Sequence, residues 1–451
     1  MDKNKGIIIK KYPEDFVVIE RIASSRKKEF KSNQSGRFCI FTLKKRGVDM
    51  LSAINTLSKA YKIKERAFSY SGTKDKNAIS VQYCSVLGNV YDKRFSFGEK
   101  GDYIEVKRVG FCDRPISLGE HLGNEFIIRV RNISDEKYFQ FRRENELSDN
   151  NNNNNDSNSD NDNNNCNKNY SKGVCKNVFW FPNYFDSQRF GIMCNNHLIG
   201  KMIILSRYEE AKELIKEQMK EKINPRLLTM SGIEFIKKLN PKHAMMYVHA
   251  YQSFIFNRAI SSFVKDNFSC FILEYPFGEL AFPIKNNYEE ETSKECACLS
   301  NQGYAKSDVY CNDKINNVKV SLAGFGFENK GKINKYVSEE MAKEGISSRD
   351  FIIRQIPSLS AESQKRDFLI KVKNFSVKAY ECDCKSEYNN RIIDNLDFKD
   401  KVKSENPNLK DKGDYDPISK ENVCEVRFIL GKGSYATIVI AGLFNQRPSF
   451  P

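Results

Sequence analysis

The chain has 451 residues, 40% of them hydrophobic, which is enough to bury at least one large core and, at ordinary domain size, two. Its 73 Lys and Arg against 58 Asp and Glu leave a charge of +15, which points to a polyanionic partner, nucleic acid or an anionic membrane surface, without choosing between them. No apolar run approaches the roughly 18 residues of a membrane span, and "MDKNKGIIIKKYPEDF" has too short an apolar core for a signal peptide, so a soluble, intracellular protein is expected.

In chain order, Gly6 to Ile22 reads as strands around a turn at "YPED", and "RFCIFTLKKRG" as a strand with Phe38, Ile40 and Thr42 alternating against Cys39, Phe41 and Leu43. Asp49 is placed to cap a helix whose apolar face carries Leu51, Ile54, Leu57 and Tyr61. "RAFSY" and "AISVQYCSV" alternate as strands on either side of "SGTKDKN", so a loop holds Lys74, Asp75 and Lys76. "DYIEVKRVGFC" and "GNEFIIRVRNI" are further strands, the second with Arg129 and Arg131 on one face, ordinarily a solvated one.

Residues 149–169 are almost purely Asn, Asp and Ser and read as a disordered insertion. After "VFWFPNYFDSQRFG" the pattern turns helical in "EEAKELIKEQMKEKI" and again from Asn240 to Phe268, where Ala244, Val248, Tyr251, Ile255, Ala259 and Phe263 share a face. Two polar stretches, about 286–316 and 386–420, read as loops or insertions, and the chain closes on "EVRFILGKGSYATIVIAGLF", a strand, a Gly-rich bend and another apolar run. Strands early and late with helices between suggest a sheet domain interrupted by a helical one.

The usual cofactor and hydrolase signatures are missing. "GKGSYA" fits G-x-G-x-x-A but leaves too little chain for a dinucleotide fold, and "GFGFENKGK" lacks the ending of a phosphate-binding loop. The thirteen cysteines are scattered and odd in number, and are read as mostly reduced and buried. The C-x-C pairs Cys296/Cys298 and Cys382/Cys384 lack the second pair or the spaced histidines of a zinc site, so no metal is expected. What remains suits RNA chemistry: cations for phosphates, aromatics to stack an extruded base, and a carboxylate to act as nucleophile or base. Each piece also has an ordinary reading, since the Lys-Asp-Lys loop can be a solvated turn and "FWFPNYF" a core segment.

In combination, "PEDFVVIE" (13–20), "SGTKDKNAISVQ" (71–82), "GNEFIIRVR", "NYFDSQRFG" (183–191), "AYQSFIFN" (250–257) and "GKGSYAT" (431–437) resemble, in order and spacing, the TruD family of pseudouridine synthases, over most of residues 10–440. The resemblance implies an enzyme that isomerises uridine in RNA without cofactor or metal, with Asp75 forming a covalent adduct at either the sugar C1′ or the base. An aspartate flanked by two lysines is expected to have a lowered pKa and to stay ionised as a nucleophile, and so to be a poor base. Carried over by position, Lys10 resembles the basic residue beside the aspartate and Phe16 an aromatic of the uridine pocket. Lys74 precedes the nucleophile, Asn183 and Phe185 resemble the residues that hold and stack the flipped base, and Tyr435 an aromatic wall. Glu14 is expected to partner a lysine.

The implied fold is α+β: a mixed-sheet pseudouridine synthase catalytic domain with an inserted, mostly helical α/β domain specific to the family. The boundaries are expected at residues 1–201, 202–364 and 365–451. Transfer RNA is the foremost substrate, with messenger and small nuclear RNA as further candidates. A monomer in nucleus or cytoplasm is expected, with no membrane partner. The competing reading is a non-catalytic RNA-binding or RNA-chaperone protein that keeps the fold. Departures from the family pattern are Asp186, expected to add negative charge near the RNA path, Ala323 and Ser363, expected to reshape loops, and a tail in place of the usual Arg-Glu-Leu-type ending.

Overall fold

The computed structural model describes residues 6–31, 36–98, 101–143, 180–219, 224–284, 318–383 and 420–450. The Asn-rich stretch, nearly all of the two polar stretches, and Cys296, Cys298 and Cys384 lie outside the described residues. Two compact units divide the chain: Met1–Asn177 with Lys373–Lys432 and Pro448–Pro451, and Val178–Val372 with Gly433–Arg447. This division falls at 178 and 372 rather than at the 202 and 364 read from the sequence, and it sends the terminal helix to the second unit.

The strands in chain order are β1 (Phe16–Arg21), β2 (Phe38–Arg46), β3 (Phe68–Tyr70), β4 (Ile79–Leu87), β5 (Lys93–Phe97), β6 (Asp102–Cys112), β7 (Gly123–Val130), β8 (Trp180–Pro182), β9 (Cys270–Tyr275), β10 (Gly278–Pro283), β11 (Lys319–Ser321), β12 (Lys365–Asp367), β13 (Leu369–Lys371), β14 (Lys373–Asp383) and β15 (Lys420–Gly431). In the first unit nine of them form one sheet in the order β14-β15-β7-β1-β4-β2-β6-β5, with β3 beside β4. The sheet is mixed: β1 and β4 run parallel, with Val17 opposite Ile79, and the other pairings are antiparallel.

One sheet face is covered by the helix Met50–Tyr61, whose N-cap is Asp49, accepting from Ser52 N at 2.9 Å as expected. Its buried face is Met50, Ala53, Ile54 and Leu57, packed on Phe41, Leu43, Val86, Ile104 and Val106, whereas Leu51 is 75% exposed. The cap makes Met50 the first helical residue, so the 3- and 4-residue steps run from 50 and Leu51 turns outward. Residues 10–15 are not strand either. Ile8 makes an isolated bridge, and Pro13–Asp15 forms a 3₁₀ turn in which Asp15 accepts from Tyr12 N at 3.0 Å, because proline fixes φ and removes a ladder donor. "YPED" is thus a turn followed by one strand.

The second unit is built on the 27-residue helix Pro241–Asn267, on which all six apolar residues named from the sequence are buried. The helix Asn196–Ile204 packs against it at Gly200, where a Cβ would meet the Tyr247 carbonyl at 2.1 Å, so only glycine allows this approach. The hairpin β9–β10 and the helices Tyr208–Met219, Gly232–Lys238, Lys332–Lys343 and Ala436–Phe444 belong to the same unit, with the short pairs β8/β13 and β11/β12. Among the described residues no helix is long and apolar enough to cross a membrane.

Arg131, expected to be solvated, is instead buried. Its guanidinium grips both oxygens of Asp15 at 2.7 and 3.0 Å and reaches Glu421 at 3.0 Å, tying the 3₁₀ turn to the end of β7. Arg129 likewise pairs with Glu425 at 3.1 Å. Arg131→Met is expected to strand the Asp15 carboxylate without a countercharge and to lower the unfolding free energy by about 3–5 kcal/mol, read as a shifted urea midpoint.

Candidate active site

Three segments meet at one edge of the nine-stranded sheet because of strand direction. β1 and β4 are parallel, so the chain feeding β1 (10–15) and the loop feeding β4 (71–78) arrive side by side. β2 is antiparallel to β4 with Arg46 opposite Ile79, so it delivers Lys45 and Arg46 to the same edge.

There Lys10 Nζ lies 2.5 Å from Asp75 Oδ2, with side chains 10% and 35% exposed, a carboxylate held by a cation yet open to solvent. Lys10 itself sits at φ +59°, an unfavourable region for a side-chain-bearing residue. The backbone pairings of Ile8 with Arg131 and of Ile9 with Ser449 on the preceding residues hold it there. Lys45, fully buried on β2, donates its Nζ to the main-chain carbonyl of Asp75. Burial pushes its pKa down to about 8; the charges of Asp75 and Asp49 oppose the shift, and that of Lys74 adds to it.

Lys74 does not face Asp75. Its Nζ pairs at 2.8 Å with the buried Glu20, which also accepts from Ser71 Oγ at 2.6 Å and Tyr83 N at 3.3 Å, so Lys74 locks the loop to β1 and β4. Lys76 is exposed. The cation at the Asp75 carboxylate therefore comes from a residue 65 positions away rather than from the neighbours in sequence. Glu14 partners Arg46 at 2.5 Å rather than a lysine, and Arg46 continues to Asp102 at 3.1 Å. Phe16 lies 4.1 Å from Lys10 Nζ but is 4% exposed, its ring packed edge-on against Phe126. Phe450 is the second ring beside Lys10, at 5.4 Å, and is 50% exposed.

The second unit carries its own constellation. Arg366 donates from Nε to the Asn183 carbonyl at 2.8 Å and from Nη2 to Asn183 Oδ1 at 2.7 Å and the Gly433 carbonyl at 2.8 Å. Asn183 Nδ2 donates to the Asp367 carbonyl at 3.1 Å. The Phe185 ring, also buried, lies 3.9 Å from the Arg366 guanidinium, with Phe256 and Tyr435 edge-on at 5.5 and 6.4 Å. Burial pushes the Arg366 pKa down to about 10. Asn183, Phe185 and Tyr435 are thus gathered around one arginine, which takes Asn183 Oδ1 and lies against the Phe185 ring. Asp186 is buried and accepts from the Thr437 and Ser187 hydroxyls, so the negative charge expected on an RNA path is turned inward. Around the two loop positions, the Ala323 carbonyl accepts from Gln252 Nε2 at 2.6 Å, and Ser363 Oγ donates to the Leu322 carbonyl at 2.7 Å.

Sequence reasoning missed Lys45, Glu20, Arg366 and Phe450. A lysine inside an apolar strand was the available signal for Lys45; the others depend on pairings between distant segments.

Because the folded-state pKa of Lys45 lies below the ordinary 10.5, the native chain binds fewer protons than the unfolded one between about pH 8 and 10.5. Stability therefore gains from this residue as pH rises through that window. Lys45→Met is expected to abolish that gain, on the order of 3 kcal/mol, in urea titrations of both proteins at pH 7.5 and 10.

With this geometry in place, a family model described as tRNA pseudouridine synthase D (TruD) matches residues 2–232 and 229–442. A "Probable tRNA pseudouridine synthase D" of Archaeoglobus fulgidus is 33% identical over 293 residues, covering 57% of this chain and 62% of that protein. One of Thermococcus sibiricus is 26% identical over 432 residues, covering 84% and 91%. A crystal structure from Methanosarcina mazei, described as a tRNA pseudouridine synthase D, superposes with a TM-score of 0.57 at 21% identity over 98% of this chain and 94% of that one, a likeness of fold.

Proposed function

The chain belongs to the TruD family of RNA pseudouridine synthases, and from that premise we propose that it converts a uridine of transfer RNA to pseudouridine with Asp75 as the nucleophile. The observation that carries this reading is the Asp75 carboxylate, solvent-accessible, ion-paired to Lys10 and mounted on a loop fixed through Lys74, Glu20 and Lys45. A nucleophile needs access and a fixed direction of attack, and the ion pair with Lys10 supplies the second without closing off the first. The reaction is redox-neutral. Attack by Asp75, at C1′ or at the base, leads to cleavage of the N1–C1′ bond with its electron pair left on N1; the uracil turns, C5 bonds to C1′, the carboxylate is released, the C5 hydrogen leaves as a proton and N1 takes one up.

Lys10 positions Asp75 before attack and pairs with the carboxylate again when the adduct breaks. Of the two rings beside Lys10, Phe450 presents the open face, and we assign it base stacking at this site, with Phe16 supporting Lys10 from below. Asn183, Phe185 and Tyr435 are assigned to RNA contact through family position. A non-catalytic RNA-binding protein with this fold would have no use for an accessible carboxylate held in this way.

Tritium release from transfer RNA labelled at uridine C5 and made without modifications tests the assignment, since the C5 hydrogen must leave. Asp75→Asn is expected to lower release by at least about 1,000-fold while RNA affinity changes less than about twofold; equal release from the variant would overturn the assignment. In the same assay Phe450→Ala is expected to lower kcat/KM by about 5- to 100-fold and Phe450→Tyr to restore most of it.

A further inference from the structure

Two guanidinium groups of the second unit lie against one ring. Arg366 Cζ is 3.9 Å and Arg189 Cζ 5.1 Å from the centroid of Phe185, so both guanidinium groups border the same ring, and the charge of Arg189 bears on Arg366. Among the described residues neither has a carboxylate partner. Arg366 gives Nε and Nη2 to carbonyl-type oxygens, and its Nη1 donates to nothing among them. The Arg189 side chain makes no hydrogen bond there, and its Nε is fully buried and orphaned.

A buried N–H without an acceptor costs about 1–3 kcal/mol, and two neighbouring cations repel, so the arrangement is incomplete as it stands. Charges nearby do not complete it. Asp186 is turned to Thr437, Asp367 is exposed with its carbonyl on Asn183, and His249 is exposed, its pKa lowered by desolvation and by the charge of Arg189. The Arg366 pKa is lowered by burial first and by Arg189 as well, while Tyr435 and Asp367 oppose the shift. Backbone shape keeps the open donor clear: Gly433 sits at φ +76°, and a Cβ there would approach Arg366 Nη1 to 3.4 Å. The Gly-rich bend that looked like a failed dinucleotide motif thus borders this pair.

We propose that Arg189 and the free Nη1 of Arg366 bind one phosphate group of the RNA backbone. Guanidinium edges match the oxygens of a phosphate in geometry, and a monoanion supplies both the missing acceptor and the missing countercharge. The stacked Phe185 ring fixes the planes of the two groups before the anion arrives, which lowers the ordering cost. The site carries no sequence information; it sets the register of the strand. This inference rests on the reading of the chain as an enzyme acting on RNA.

The test is the salt dependence of affinity for unmodified transfer RNA, measured with the full chain as wild type, Arg189→Gln, Arg189→Lys and, as a control far from the pair in sequence, Lys335→Gln, which alters a 73% exposed side chain. Arg189→Gln is expected to reduce the slope of log K against log salt by about 1 and to weaken binding about tenfold at 0.1 M salt, equally for unrelated RNA sequences. Arg189→Lys is expected to keep the slope but bind at least about threefold more weakly, because a point charge replaces a two-pronged donor. Lys335→Gln should match wild type. An unchanged slope in Arg189→Gln overturns the proposal. Melting curves recorded first reveal whether Arg189→Gln folds; if it does not, Arg189→Lys decides, and an affinity equal to wild type overturns the proposal. Tritium release by wild type keeps the two readings apart. Release with an unaltered slope in Arg189→Gln removes the phosphate site alone, whereas no release with the expected slope change removes the enzyme reading and leaves the phosphate site standing.

Discussion

The parallel register of β1 on β4 is the constraint on which the candidate catalytic edge depends. Val17, Ile79 and Ile127 bury one another where β1 is flanked by β4 and β7, and that apolar contact fixes which residues stand opposite. Side chains alternate with a period of two, so a slip of one residue would turn Glu20 from its buried partners to the other face and move the Lys74 anchor with it. An antiparallel β1 would deliver residues 10–15 to the far edge, beyond reach of Asp75. The direction and register of two short strands therefore place Lys10 and Asp75 together across 65 residues of chain.

Around that edge the charges sort by burial. Glu20–Lys74 and Asp15–Arg131 are nearly inaccessible, and each member has its opposite within hydrogen-bonding distance, as desolvated charges require. These pairs fasten the backbone: one anchors the loop that carries Asp75, the other the turn that precedes β1. The Lys10–Asp75 pair is left partly open, which a scaffold does not need and a reacting carboxylate does. Lys45 is the exception within the sheet, a buried ammonium whose direct partner among the described residues is a carbonyl, and its pKa falls accordingly.

Local pattern made much of the fold legible. The Asp49 cap, the existence of the strands β2, β4 and β6, and the apolar face of the helix Pro241–Asn267 each follow from neighbours a few residues apart. Where the sequence reading went astray, a distant segment decided the outcome. Lys74 stands beside Asp75 in sequence, yet Glu20 on β1 captures it, while Lys10 arrives from the other end of the parallel pair. Glu14 meets Arg46 because β2 ends at that edge, and Thr437 from the terminal helix turns Asp186 inward. Motif matching located Asp75 and Lys10 but not the reason they meet, since register is a property of pairs of strands.

The second unit departs from this sorting at one place. Its buried Glu340 and partly buried Glu344 are ion-paired with Arg258 and Lys201, so the unit can pair charges where the fold requires it. Around Phe185 it leaves two guanidinium groups against one ring without a carboxylate among the described residues, and spends a buried, unpartnered N–H in doing so. A fold under selection for stability alone would gain by placing a carboxylate there, and the aspartate nearest in sequence, Asp186, is instead tied to Thr437. Leaving the pair open costs stability in the free protein and recovers it only when an anion arrives, which is how preorganised binding groups differ from structural ones.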